Sequence, residues 1–210
     1  MIGIVDYGSG NVSAIATIFK QLKVPHVVTG DHAELAAADR YILPGVGAFD
    51  QVMGDLVRLG LRDFLNEQVL EKRKKAIGIC VGMQILAESS EEGTLPGLGW
   101  IPGRVRRIDD SAINSLPKLP HMGWNSLTLK DQSPLFSGVD LERGFYFLHS
   151  YYFDAQLPET VLATVTYGKE MACAVHRDNV FGMQFHPEKS GELGMKLLNN
   201  FLLLTGAPTA

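Results

Sequence analysis

Cysteine is scarce in this chain: Cys80 and Cys173 are the two among 210 residues. Two thiols build no disulfide framework of the kind small secreted folds use, so stability has to come from a packed core. Long apolar runs are missing as well. No stretch approaches the roughly 20 residues that cross a bilayer. The opening Met1-Ile2-Gly3-Ile4-Val5-Asp6 lacks the basic segment of a secretion signal and reads as a strand. The expectation is a cytoplasmic chain with no membrane contact. Positive charge is not in excess either. Nineteen Lys and Arg stand against 23 Asp and Glu, a net charge of −4, which argues against a general nucleic-acid binder. The run Lys72-Arg73-Lys74-Lys75 follows a helical pattern and reads as a solvated helix end. The six histidines show no ligand spacing with Cys or carboxylates, so neither a metal nor a cofactor is expected. Without repeats, low-complexity tracts or a linker, residues 1–210 read as a single domain, looser and richer in Gly, Pro and Ser over 86–120.

What is present is a core and its punctuation. Hydrophobic residues make up 46% of the chain, and 22 glycines cluster at the ends of apolar runs, where tight βα turns form. Residues 2–5, His26 to Thr29, Tyr41 to Leu43 and Ala76 to Ile79 read as short strands. Between them, Asn11 is placed to cap a helix in which Val12, Ile15, Phe19 and Leu22 recur at helical spacing. An Ala-rich segment surrounds Leu35, and Phe49 to Leu59 and Leu61 to Leu70 look helical. In the second half, Phe145 to Phe153, Val161 to Tyr167, Ala172 to His176 and Val180 to Phe185 read as strands, with Arg177-Asp178-Asn179 as a hairpin turn. A final helix is expected from about Glu192 to Leu204, stopping at Gly206 with Pro208 beyond; Leu197, Leu198, Phe201 and Leu202 form its core face. The pattern predicts an α/β fold with a doubly wound, mostly parallel sheet and added antiparallel strands.

The chemistry centres on Cys80. It sits in Ala76-Ile77-Gly78-Ile79-Cys80-Val81-Gly82-Met83-Gln84, where an apolar strand gives way to a helix-like segment. Small residues two before and two after a nucleophile suit a tight strand-to-helix elbow, because a Cβ there would block close backbone approaches. The helix N-terminus would favour the thiolate. Cys173 has no elbow and no neighbouring base, and reads as a small buried hydrophobe. Far downstream, His186-Pro187-Glu188 offers a base and an orienting carboxylate two residues apart, on one side of an extended segment. The plain alternative is a strand-end His with a solvated Glu. The loop Leu43-Pro44-Gly45-Val46-Gly47-Ala48-Phe49 also ends a strand; it can aim backbone N–H groups at developing negative charge, or be an ordinary Gly/Pro turn.

In this order Pro44-Gly45-Val46-Gly47, Gly78 to Gln84 and His186-Pro187-Glu188 resemble the class I (triad) glutamine amidotransferases, a flavodoxin-like family. More narrowly, Val5 to Asn11, Pro44 to Phe49, His121-Met122-Gly123-Trp124-Asn125, His149-Ser150-Tyr151 and Gln184 to Ser190 are similar to the glutaminase subunits of imidazole glycerol phosphate synthases. Val81 stands where that group commonly has Leu. The resemblance implies L-glutamine as substrate, Cys80 as nucleophile, His186 as base and acid, and Glu188 as its orienter. It implies an oxyanion hole from Val81 and from Val46, the latter in the Pro44–Gly47 loop, which would rearrange before it works. Gly45, Gly47, Gln84, His149 and Ser150 would hold glutamine, with structural hydrogen bonding the equal alternative for each. Its partner would be a separate (β/α)8-barrel cyclase subunit, forming a heterodimer and receiving ammonia. Tyr7, Asn11, Met122, Trp124 and Lys189 are the candidate contacts, although Trp124 in the core and Lys189 merely solvated explain those two equally.

Two rivals share parts of this reading. A freestanding thiol hydrolase would use Cys80 and His186 without a partner. A nucleotide-binding module would use Gly8-Ser9-Gly10 with Asp31, but Ser13 stands where the third glycine belongs.

Overall fold

Short apolar strands separated by amphipathic helices can bury themselves only between helical layers, and the first half of the chain does this. The computed structural model describes residues 1–8, 10–113 and 116–204. In it β1 (Ile2–Val5), α1 (Val12–Gln21), β2 (His26–Thr29), α2 (His32–Ala36), β3 (Arg40–Gly45), α3 (Phe49–Arg58), α4 (Leu61–Asn66), β4 (Lys75–Cys80) and α5 (Val81–Gln84) follow one another. β1 pairs in parallel with β2 and β3, and β3 with β4. Every residue of β1 is buried, as are those of β3 and β4 beyond the first. Such continuous burial is what helices on both faces impose. α1 contributes Ile15, Ile18 and Phe19 to the core, and α3 Phe49, Val52, Met53 and Leu56.

Two local expectations change. Asn11 occupies the N-cap position of α1 but makes no capping side-chain hydrogen bond, its backbone lying outside the extended region that aims a cap. The helix expected over 61–70 passes at Glu67–Glu71 into a π-helical turn, which buries the adjacent Gln68 and Val69 together.

The second half adds β5 (Ser89–Ser90), β6 (Gly103–Arg107), β7 (His121–Asn125), β8 (Thr128–Leu129), β9 (Phe145–His149), β10 (Tyr151–Ala155), β11 (Val161–Tyr167), β12 (Lys169–Arg177), β13 (Val180–Met183) and α6 (Gly191–Leu203). β13 returns to the parallel core beside β4, with Met183 opposite Ile79. The main sheet then runs β2-β1-β3-β4-β13-β12-β10-β6-β5. β12 and β13 form the expected hairpin, with Asp178 at φ 57° in its turn. The strand expected from Phe145 to Phe153 breaks at Ser150. β9 pairs with β7 in a separate two-stranded ribbon, whereas β10 pairs with β6 and β12. Aromatic and aliphatic residues stand on both sides of His149-Ser150, and no glycine or proline marks the break, so the local pattern does not reveal it. On α6, Leu197, Leu198 and Phe201 are fully buried and Leu202 packs at the core's edge; the expected stop at Gly206 and Pro208 lies outside the described residues. Among the described residues no helix is long and apolar enough to cross a membrane.

Candidate active site

Cys80 ends β4 with φ 56° and ψ −113°, a conformation that costs a non-glycine residue about 1–3 kcal/mol. The elbow is locked by close backbone contact. A Cβ on Gly78 would lie 2.1 Å from the Gly82 carbonyl oxygen, and one on Gly82 would lie 1.8 Å from that of Leu43. Only glycine fits both places. The helix that follows differs from the expectation: α5 is a single turn, Val81–Gln84. Few peptide dipoles align in one turn, so any favour to a thiolate comes from the first N–H groups rather than from a macrodipole.

His186 follows β13, and its Nδ1 lies 2.9 Å from Glu188 Oε1, both side chains being 2% exposed. Pro187–Lys189 forms a 3-10 turn rather than an extended segment, so the carboxylate reaches the ring by turning back. The backbone there is tied down. His186 N–H donates to the Tyr146 carbonyl at 2.8 Å, and the Ser190 hydroxyl donates to the His186 carbonyl at 2.6 Å. Burial pushes the imidazole down, yet hydrogen bonding and charge from Cys80 and Glu188 outweigh it and raise the group to about 9. Nε2 is buried and meets hydrogen-bond geometry with no partner among the described residues. The sulfur raises the ring's proton affinity from within the same pocket. Its own neighbours are Gln184 Nε2 at 3.6 Å and the Leu148 carbonyl at 3.9 Å.

Cys80 and His186 open into one pocket of about 300 Å³, the small end of the range for ligand sites. Val46, Gly47, Val81, Gln84, His149 and Ser150 line it. Gly45 does not: it packs against the elbow, where a Cβ would lie 2.4 Å from Gly82 N. Four lining residues were not anticipated, namely Glu92, Pro120, Leu148 and Tyr151. Gln184 was also missed as a neighbour of the sulfur, although its spacing of two from His186 was a usable signal.

Two buried histidines, His149 in the pocket lining and His121 beside it, form a chain of defined tautomers. His149 Nδ1 lies 2.8 Å from the Tyr151 carbonyl and must donate to it. Its Nε2 then accepts from His121 Nδ1 at 3.0 Å. Burial lowers His121 to about 4 and His149 to about 3, so both rings are neutral at pH 7. His121 is stacked between Phe147 and Tyr167 at 4.6 and 4.2 Å.

The candidate contact residues separate. Tyr7 is fully buried, and its hydroxyl donates to the Pro44 carbonyl. It braces the loop from inside and presents no surface to a partner, which corrects that expectation. Asn11 is half-buried. Met122 and Trp124 are 55% and 57% exposed on β7, so Trp124 is not core. Lys189 is exposed, with Nζ 5.2 Å from the Tyr146 ring centroid. Met122 pairs in register with Leu148, which lines the pocket, so this apolar patch borders the mouth.

The rival features find ordinary places. Asp31 caps α2 by accepting the Glu34 N–H at 2.9 Å; Ser9 of the glycine motif lies outside the described residues. Cys173 is fully buried, and burial holds its thiol well above the usual range. In the basic run, Lys72 pairs with Glu67 at 2.6 Å and Arg73 with Asp178 at 3.5 Å. Among the described residues no group of His, Cys, Asp and Glu could hold a metal ion.

The family model for glutamine amidotransferase class-I matches residues 3–205. The imidazole glycerol phosphate synthase subunit HisH of Bdellovibrio bacteriovorus is 50% identical over 206 residues, covering 96% of this chain and 98% of that protein. The subunit of the same name from Leptospira interrogans is 47% identical over 204 residues, covering 97% of this chain and 100% of its own. A solved glutamine amidotransferase structure superposes with a TM-score of 0.70 at 20% identity, covering 96% of this chain and 97% of that one, which speaks for the fold. The chain belongs to the class-I glutamine amidotransferases.

Proposed function

We infer that this protein is the glutaminase subunit of an imidazole glycerol phosphate synthase, hydrolysing L-glutamine to glutamate and ammonia for histidine biosynthesis. One observation carries the reading: a thiol on a strained elbow shares a small pocket with an imidazole whose far nitrogen is held by a buried carboxylate. Near-full-length identity of up to 50% to HisH subunits supports the narrower assignment.

The Cys80 thiolate attacks the side-chain carboxamide carbon, and the carbonyl oxygen becomes an oxyanion stabilised by the N–H groups of Val46 and Val81. His186, protonated, gives its proton to the departing amine, and ammonia leaves a γ-glutamyl thioester. The neutral ring then takes a proton from water, hydroxide attacks the thioester, and glutamate leaves as the thiolate is restored. Glu188 fixes the tautomer and stabilises the imidazolium. Gly47, Gln84 and Ser150 hold the amino-acid end of glutamine, with the backbone of His149, whose ring nitrogens are both engaged, beside them. Glu92, the acidic residue of the lining, suits the substrate's ammonium group. The protein works with a second synthase subunit. We assign that subunit a (β/α)8 barrel docked over Met122, Trp124 and Lys189, with Asn11 at the edge, in the cytoplasm.

The test is glutaminase turnover with and without a matching cyclase subunit and its nucleotide ligand. Weak turnover alone, strong turnover in the complex and none for Cys80→Ala are expected. Equal turnover with and without the cyclase would reject the gating. Hydrolysis of esters or peptides in place of glutamine would favour a freestanding thiol hydrolase.

A further inference from the structure

We propose that Gln184 stabilises the Cys80 thiolate by donating a side-chain N–H to the sulfur from behind the pocket, and that Gln84 orients the Gln184 amide for this. The proposal rests on the thiol-nucleophile reading and deepens it. Gln184 is fully buried, and its Nε2 lies 3.6 Å from Sγ. A buried amide can present either its oxygen or its nitrogen to a neighbour, and here the surroundings decide which. Gln84 Nε2 lies 3.0 Å from the Tyr151 carbonyl and 3.0 Å from Gln184 Oε1. The Tyr151 carbonyl only accepts, so the nitrogen of Gln84 must face it. The second N–H of Gln84 then points at Gln184, which must answer with its oxygen. The nitrogen of Gln184 is left facing the sulfur. Its backbone N–H donates to the Cys173 carbonyl at 2.9 Å and fixes the residue's position.

Burial pushes a thiol toward its neutral form, and a positioned donor opposes that. The Leu148 carbonyl, 3.9 Å from the sulfur, suits a neutral S–H and repels a thiolate. Gln184 has the reverse preference, so the two neighbours bias the sulfur in opposite directions. A thioester sulfur accepts hydrogen bonds poorly, so the Gln184 donor is worth most when the sulfur is charged. It therefore raises the share of sulfur present as thiolate before attack and favours thiolate departure from the adduct that water forms.

The experiment follows carbamidomethylation of Cys80 by iodoacetamide against pH, by intact mass on the full chain, with buried Cys173 as the unreactive reference. Gln184→Met removes the donor at similar volume. Gln184→Glu also removes it while keeping an acceptor for Gln84. The midpoint of the alkylation profile should rise by about one pH unit in Gln184→Met and at least as far in Gln184→Glu. In the synthase complex both variants should lose roughly tenfold or more in kcat for glutamine with KM nearly unchanged. An unchanged midpoint in either folded variant overturns the proposal and leaves Gln184 as packing. Because the midpoint is read without glutamine, it decides the role of Gln184 even if the wild-type chain failed to hydrolyse glutamine, an outcome that would sink the functional reading instead.

Discussion

The parallel half of the sheet and the β7–β9 ribbon meet at the same pocket but are built on opposite terms. At the carboxyl end of β4 the backbone packs against itself so tightly that a single Cβ on Gly82 would lie 1.8 Å from a carbonyl oxygen. The ribbon has two strands, with Met122 and Trp124 more than half exposed and a histidine pair buried beneath. One region fixes the nucleophile by leaving it no room. The other offers apolar surface that a free subunit leaves unsatisfied. Rigid chemistry thus sits beside an adaptable rim, an arrangement suited to an enzyme whose output is received by another chain.

The sharpest way to break this contrast is Gly82→Ala. If the elbow is locked as described, the added methyl cannot be absorbed, and the variant should lose glutaminase activity entirely and about 3 kcal/mol or more of stability. Thermal unfolding and turnover in the complex read both. A variant with wild-type melting and activity would show that the elbow has slack.

Next in size is Glu188→Gln, with an expected fall in kcat of roughly 10²–10⁴-fold. The sign of its pH effect follows from the imidazole, which keeps its proton up to about pH 9. Above that the acid needed by departing ammonia is gone, so wild-type turnover should decline as pH climbs through about 9. The same raised group contributes stability that is full below its ordinary 6.5 and is lost on passing upward through about 9. Removing the Glu188 carboxylate removes one of the influences that raise the ring, so the alkaline limb should move to lower pH. A limb that stays put in the pH–rate profile would assign it to another group.

The smallest effect is expected at the rim. Trp124→Ala should weaken association with the cyclase subunit by roughly ten- to thirtyfold, the range of an exposed aromatic anchor. It should leave the alkaline limb in place. Titration of subunit binding beside the pH–rate profile separates the two. A shifted limb would mean that ribbon and elbow are not independent.

Much of the parallel half was readable from residues. Gly78 and Gly82 flank Cys80 at the spacing the turn demands, and Pro187 between His186 and Glu188 marks the second cluster. Helix faces such as Ile15 with Phe19 follow from period alone. What escaped notice depends on tertiary contact. β6, with Arg at three of its five positions, resembles loop although it is paired on both sides, because its partner β5 is only two residues long and Arg104 and Arg107 stay exposed. The break at Ser150 is hidden because aromatic residues flank it on both sides without a glycine or proline between them. Tyr7 has the composition of a surface contact but points inward, since Pro44 supplies an acceptor that only the folded chain brings near. Gln184 could be flagged by spacing, whereas its bond to the sulfur could not.

Leu148, on the ribbon, touches the nucleophile of the other region. Its side chain is 36% exposed beside the apolar patch, while its carbonyl stands 3.9 Å from the nucleophile. A single residue thus presents its side chain to the apolar patch and its carbonyl to the reacting atom. Mutational dissection of the rim should therefore trim Leu148 beyond Cβ and avoid proline or glycine, which would disturb the inner face along with the outer one.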